Sequence, residues 1–199
     1  MQMTAASPRT ATSPMTAAIL AGGESRRMGT DKAVLLFGGV PLLERAARAA
    51  LAAGLPVLVA GRDCPPDWQT PAVDFVMDAV PGRGPLGGLE AALRRAGMPI
   101  LALACDMPLL GPDALVWLRD QAAAGADLHG LAVTHEGRWE PLFSVYTPAC
   151  LPLIESRLAE GRRSLHGLIE AGQFAAVEAP GWVTAQLVNV NTPEDLARL

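Results

Sequence analysis

Short apolar runs of strand length alternate with amphipathic stretches of helix length along most of the chain, and this alternation restricts the fold more than any single motif. The runs 17–20, 57–60, 73–77 and 100–105 are short and nearly free of polar residues, as expected of strands covered on both faces. Between the first two, residues 41–53 place Leu42, Leu43, Ala46, Ala49, Ala50 and Ala53 on one face, with Glu44, Arg45 and Arg48 on another. Gly54 supplies the stop. Segments 89–96 and 112–123 repeat the helical pattern, the second opening on Gly111-Pro112-Asp113, where proline suits a first turn. Consecutive strands joined by helices pair in parallel.

The later chain changes rhythm. Segments 128–133 and 139–146 flank Glu136-Gly137 and read as a hairpin. Helices follow at 149–159 and 164–171, strands near 175–177 and 187–190, and a closing helix at 193–199. Residues 1–15, loose in Thr, Ser, Pro and Ala, read as a disordered extension, leaving 16–199 as one domain. The expected fold class is α/β: a doubly wound, Rossmann-like three-layer fold with a mostly parallel sheet and a mixed edge.

Half of the 199 residues are hydrophobic but only 5% are aromatic, so the core must be built from Ala, Leu and Val. Sixteen Lys and Arg against twenty Asp and Glu give a net charge of -4, which argues against a nucleic-acid binder with a broad basic surface. Any anion site must be local. Cys64, Cys105 and Cys150 form no Cys-x-x-Cys pair, so neither a disulfide framework nor a zinc site is indicated, and a reducing cytoplasm fits. No apolar run approaches the ~18 residues of a membrane helix.

Directly after the first strand stands Leu20-Ala21-Gly22-Gly23-Glu24-Ser25-Arg26-Arg27-Met28-Gly29-Thr30-Asp31-Lys32. Glycines without a Cβ let backbone N–H groups approach phosphate oxygens. The loop is neither a Walker A nor a dinucleotide fingerprint. Its glycines alone would suit a solvated turn, but Arg27 and Lys32 at the carboxyl end of a buried strand favour phosphate binding. Asp106 follows the strand 100–105 and precedes Met107-Pro108, a position where a hard oxygen suits Mg2+, and Asp78 stands in the equivalent place after 73–77. Aspartates in such positions also start turns.

Other motifs read two ways. Gly84, Pro85, Leu86, Gly87 and Gly88 lead into a helix and suit a tight turn. Asn191 or Thr192 would cap the last helix, while strand alternation puts Asn189 and Asn191 on one face. Arg162 and Arg163 precede Ser164 as an anion site or as solvated cations. His129, His135 and His166 show no catalytic spacing and read as structural or surface residues.

The segment from Leu20 to Lys32 resembles the signature of the nucleotidyltransferases that activate cofactors and sugars. With Asp78, Gly84 to Gly88, Cys105 to Pro108, Glu140 to Phe143, Gly161-Arg162-Arg163 and Asn189 to Asp195, the order of motifs from Thr16 onward is similar to the molybdenum cofactor guanylyltransferases. That resemblance implies transfer of GMP from GTP to molybdenum-carrying molybdopterin, with molybdoenzymes or their chaperones as recipients. It implies that Leu20, Ala21, Gly22, Gly23 and Lys32 bind GTP, that Asp78 lies beside the nucleotide, that Gly84, Pro85, Leu86 and Gly87 help select guanine, and that Asp106 holds Mg2+. Arg27, Lys32 and Asp106 would carry the catalysis, and Arg162, Arg163, Asn189 and Asn191 are candidates for the pterin side. One departure is Gly61, which stands where family members can place an asparagine against the nucleotide. A cytidylyl counterpart, a sugar-phosphate nucleotidyltransferase and a non-catalytic GTP-binding delivery adaptor are the alternatives.

Overall fold

The computed structural model describes residues 14–22, 32–78, 80, 82–122, 128–190 and 192–199. After β1 (Thr16–Leu20), the described residues continue with a 3-10 turn at Lys32–Val34, the small hairpin β2 (Leu36–Phe37) and β3 (Val40–Pro41), and α1 (Leu42–Ala52). The strand–helix ladder continues through β4 (Val57–Ala60), β5 (Val73–Val76), α2 (Gly84–Ala96), β6 (Ile100–Ala104) and α3 (Pro112–Ala122). The second half holds β7 (Gly130–His135), β8 (Arg138–Trp139), β9 (Phe143–Tyr146), α4 (Leu151–Ala159), α5 (Leu165–Ala171), β10 (Phe174–Glu178), α6 (Gly181–Thr184) and α7 (Pro193–Leu196).

One sheet runs β10-β7-β9-β6-β1-β4-β5, with β8 paired to β7. β1 is parallel to both β4 and β6, β4 to β5, and β7 to β10. The antiparallel part is confined to one half, where β9 runs between β6 and β7 and β8 folds back on β7. Alternation decides which layer each side chain joins. Ala17 and Ile19 of β1, Val57 and Val59 of β4, and Leu101 and Leu103 of β6 face the cluster that includes buried residues of α1 and α3. Ala18, Leu20, Leu58, Ala60, Ile100 and Ala102 face the layer built from α2, α4 and α5. Each fully buried aliphatic side chain contributes roughly 1.5–3 kcal/mol, so the central strands anchor both helix layers.

Several expectations change in the structure. Met15, assigned to the extension, is buried in the core next to β1. The run 139–146 is two strands, because Glu140-Pro141-Leu142 leaves the ladder: β8 pairs only with β7, whereas β9 bridges β6 and β7. Residues 187–190 form no strand. Leu187 instead packs against the core cluster that includes α1 and α3, and Val190 is buried with its N–H on the Asp106 carbonyl. Gly84 to Gly88 is the first turn of α2 and not a turn ahead of it, so the helix starts five residues earlier than its periodicity suggests. Helix propensity of Gly and Pro is low, and packing of this turn at the strand ends outweighs it. The last helix stops at Leu196.

Glu44 is a further difference. Placed on the polar face of α1 by periodicity, it is only 3% exposed and accepts hydrogen bonds from Thr70 Oγ1 at 2.7 Å and Arg48 Nη2 at 2.8 Å. Trp68 Nε1 donates to the Thr70 carbonyl, so the β4–β5 connection is clamped to α1. Burial alone would raise the Glu44 pKa, but the bonds from Thr70 and Arg48 outweigh it and the carboxyl sits below its ordinary value. The stabilisation is therefore full above the ordinary carboxylate range and is lost as pH falls through the folded-state value. Thr70→Val keeps the shape and removes the hydroxyl donor, which should cost about 1–2 kcal/mol in urea unfolding at neutral pH. The difference from wild type should shrink in acid, and a gap independent of pH would refute the clamp.

Candidate functional site

The chain leaves β1 for β4 and β5 on one side, then returns through α2 to β6 on the other, so strand order reverses at β1. Open α/β sheets bind ligands at the carboxyl ends of the strands beside such a point. The candidate residues gather there in spatial order: Asp106 after β6, Ala21 and Gly22 after β1, Gly61 after β4 and Asp78 after β5.

Backbone bonds extend the ladder past the strands. Ala21 N–H donates to the Ala60 carbonyl and Gly61 N–H to the Val76 carbonyl, each at 2.9 Å. These bonds draw Gly22 and Gly61 together. A Cβ on Gly61 would stand 2.5 Å from Gly22 Cα and 2.7 Å from its nitrogen, and Gly61 has φ +91. Both the close approach and the left-handed backbone require glycine there. The absence of an asparagine side chain at Gly61 thus has a steric consequence: the two loops pack backbone on backbone.

Asp78 sits in a seat made by glycines. Its carboxylate oxygens lie 3.6 to 3.7 Å from where Cβ atoms on Gly61, Gly87 and Gly88 would be. Larger residues on the first turn of α2 would push it out. Its Oδ1 is buried with no hydrogen-bond partner, and burial raises its pKa. This seat has no signature in the sequence beyond the glycines themselves.

Asp106 faces Lys32, whose Nζ donates to Oδ2 at 3.3 Å, both side chains being about one-fifth exposed. Asp106 Oδ1 is buried without a partner. Distant segments hold this stretch of chain: Val190 N–H donates to the Asp106 carbonyl at 2.9 Å, and Arg45 Nε to the Pro108 carbonyl at 2.5 Å. Val190 belongs to the segment expected as a strand. Its role is to brace the Asp106 loop.

The arginine turn reaches the same edge from the other helix layer. Arg163 is exposed, with Cβ 3.5 Å from the Cβ position of Gly84 at the start of α2, while Arg162 pairs with Glu160 at 3.1 Å. Asn189 is exposed. Thr192 caps the last helix reciprocally: its Oγ1 accepts from Asp195 N–H and its own N–H donates to Asp195 Oδ2. Of the two capping candidates, Thr192 carries these bonds. Gly23, Arg27 and Asn191 lie outside the described residues.

An oxygen-binding cation fits Asp106, because a buried carboxylate oxygen without a protein partner is the donor such an ion takes. Among the described residues no cluster of three or more His, Cys, Asp or Glu could hold a metal alone. Mg2+ usually takes one or two carboxylates and completes its shell with substrate phosphates and water. No helix among the described residues is long and apolar enough to cross a membrane.

Comparison with known proteins identifies the fold and family. The MobA-like NTP transferase domain matches residues 17–176. A probable molybdenum cofactor guanylyltransferase of Deinococcus radiodurans is 39% identical over 190 residues, covering 94% of each chain. One of Opitutus terrae is 36% identical, covering 94% of this chain and 95% of that one. Molybdopterin-guanine dinucleotide biosynthesis protein A from Archaeoglobus fulgidus superposes with a TM-score of 0.77 at 25% identity, covering 92% of this chain and 96% of that one. The cytidylyltransferase acting on 2-C-methyl-D-erythritol 4-phosphate in Thermus thermophilus shares the fold, with a TM-score of 0.62 at 18% identity and coverage of 92% and 96%. A domain match over most of the chain and relatives this similar along nearly their whole length place the protein among the nucleotidyltransferases, and the chain belongs to the MobA-like NTP transferase domain family.

Proposed function

We propose that this enzyme transfers GMP from GTP to the terminal phosphate of molybdenum-carrying molybdopterin, forming molybdopterin guanine dinucleotide and releasing pyrophosphate. The observation that carries this reading is the Asp106 carboxylate, with one oxygen on Lys32 and the other buried without a partner, at the strand-order reversal. The names of the relatives in Deinococcus radiodurans and Opitutus terrae support the choice of substrates.

An acceptor phosphate oxygen attacks the α-phosphorus of GTP, the new P–O bond forms, and the bond to the β-phosphate oxygen breaks with its electron pair leaving on pyrophosphate. A phosphate monoester with a second pKa near ~6 is mostly dianionic at neutral pH, so no strong base is needed. The obstacle is bringing two anions together. Lys32, held on Asp106, would offset this with its positive charge, and the Gly22 backbone would face the phosphates. Asp106 would hold Mg2+, which supplies charge neutralisation of the phosphates when bound.

With phosphates between Asp106 and the β1 loop, the base falls over β4 and β5, toward Asp78 and the first turn of α2. Guanine presents adjacent N–H donors, and the unpartnered Asp78 carboxylate is the matching acceptor. Pyrophosphate release with molybdopterin and each nucleoside triphosphate tests the assignment. GTP should be strongly preferred, and equal turnover with CTP would overturn the guanylyl reading while leaving nucleotidyl transfer intact.

Asp78 also gives a trade-off. A carboxyl whose folded-state pKa is raised by burial lowers stability as pH rises above its ordinary value, so at neutral pH Asp78 is a cost to folding. Asp78→Asn should leave the melting temperature equal or higher yet weaken GTP binding by about tenfold or more, since the amide turns a donor toward a donor. Unchanged GTP affinity would remove Asp78 from base recognition.

A further inference from the structure

Arg157 lies in the last turn of α4 with 9% of its surface exposed. Its Nε is buried without a hydrogen-bond partner, and among the described residues no acidic side chain pairs with the guanidinium. A buried cation without a counterion is costly, and a residue needed only to fill space here could be apolar.

The surroundings tie Arg157 to the turn at 160–164. The chain reverses through Gly161 at φ +74, and Arg162 N–H donates to the Arg157 carbonyl at 2.8 Å. The guanidinium runs under the first turn of α5, with Cζ 3.3 Å from the Cβ position of Gly167 and Nη2 nearer still. Gly167 N–H donates to Ser164 Oγ at 3.2 Å, which caps α5. Arg157 therefore grips the turn from both ends, through its backbone at Arg162 and its side chain beneath Gly167. The turn delivers Arg163 onto Gly84 at the nucleotide edge.

We infer that Arg157 is a positioning residue for the anionic acceptor: it fixes the Arg162–Arg163 turn against α2 and keeps an uncompensated positive charge beneath it. The inference rests on the proposed reaction only in taking the acceptor's phosphate as the anion. Low polarity around the buried charge lets it act on an anion at the turn more strongly than a solvated arginine would.

Arg157→Met, Arg157→Lys and Gly167→Ala test it, with molybdopterin and GTP varied separately. Methionine removes the charge and keeps much of the volume, and such replacements of buried charge are commonly neutral or stabilising. The KM for molybdopterin should rise about tenfold, one pairwise charge interaction of ~1.4 kcal/mol. The KM for GTP should hold, and lysine should restore part of the loss. Gly167→Ala, whose Cβ displaces only the guanidinium tip, should reproduce the methionine pattern without altering the charge count. Equal effects on both KM values, or none on either, would overturn the role.

If the wild-type enzyme transfers no nucleotide to molybdopterin, the substrate assignment fails by itself. Calorimetry of inorganic phosphate binding to enzyme filled with a non-hydrolysable GTP analogue then decides: a Kd raised about tenfold by Arg157→Met upholds the role, and an unchanged Kd rejects it.

Discussion

Replacing Asp106 by asparagine is expected to cut pyrophosphate release per folded molecule by a factor on the order of 100 or more, while the melting temperature stays near that of wild type. The two outcomes separate because the residue contributes differently to each. For folding, the Lys32–Asp106 pair is about one-fifth exposed at 3.3 Å, and a partly solvated pair of this kind is worth about 1 kcal/mol at most. The asparagine would keep the volume and an oxygen, and the bond from Val190 N–H to the Asp106 carbonyl does not involve the side chain. For chemistry, the carboxylate is the fixed charge that would retain Mg2+ beside the α-phosphate, and an amide oxygen carries no net charge to replace it. If Asp106 were a turn residue, the order would invert: stability would fall and turnover per folded molecule would hold. Near-normal Mg2+-dependent turnover would reject it as the metal-holding group.

The central strands β1, β4 and β6 are plain in the sequence because each is buried on both faces and bounded by helix periodicity, whereas β5, expected from 73–77 as a buried strand, lies at the sheet edge with Asp74 exposed. Thr16–Leu20, Val57–Ala60 and Ile100–Ala104 fall within a residue of the apolar runs. The places of Gly22, Asp78 and Asp106 follow from the same pattern: a polar or glycine residue following a strand emerges at the carboxyl edge. Contacts made across the chain were not legible. Glu44 looked solvated because periodicity cannot see that Thr70 comes to lie over α1. The first turn of α2 looks like a loop in the sequence because Gly84, Gly87 and Gly88 are poor helix formers; Gly87 and Gly88 make the seat for Asp78, Gly84 takes φ +65 beside Arg163, and Pro85 suits a first turn. Residues 187–190 carried strand-like apolarity, which their bracing of the Asp106 loop accounts for. Arg157 left no local mark at all. A charge near the end of a helix is ordinarily solvated, and its burial follows only from α5 packing across it through Gly167.

The second large effect is expected at Gly61, where the site and the fold depend on the same two backbones. In Gly61→Ala the new methyl would meet Gly22 Cα at 2.5 Å and its nitrogen at 2.7 Å. Main chain cannot rotate aside as a side-chain tip can. Residue 61 must also keep φ +91 or abandon the bond from its N–H to the Val76 carbonyl. Overpacking of this kind costs about 1–3 kcal/mol, and the left-handed backbone adds roughly 1–2 kcal/mol for a residue with a Cβ. Together these predict a fall in melting temperature of about 10 °C for a domain of this size. Relief comes only if the Gly22 loop moves off β4, so, with phosphates bound at this backbone as proposed, the KM for GTP should rise about tenfold or more. Gly39→Ala is the matched control, since Gly39 has φ +78 but nothing within 4 Å of its Cβ position. It should show the backbone strain alone, with GTP binding intact. Equal losses of stability in the two variants, with normal GTP affinity in both, would mean that the Gly22–Gly61 approach neither holds the fold nor shapes the nucleotide loop.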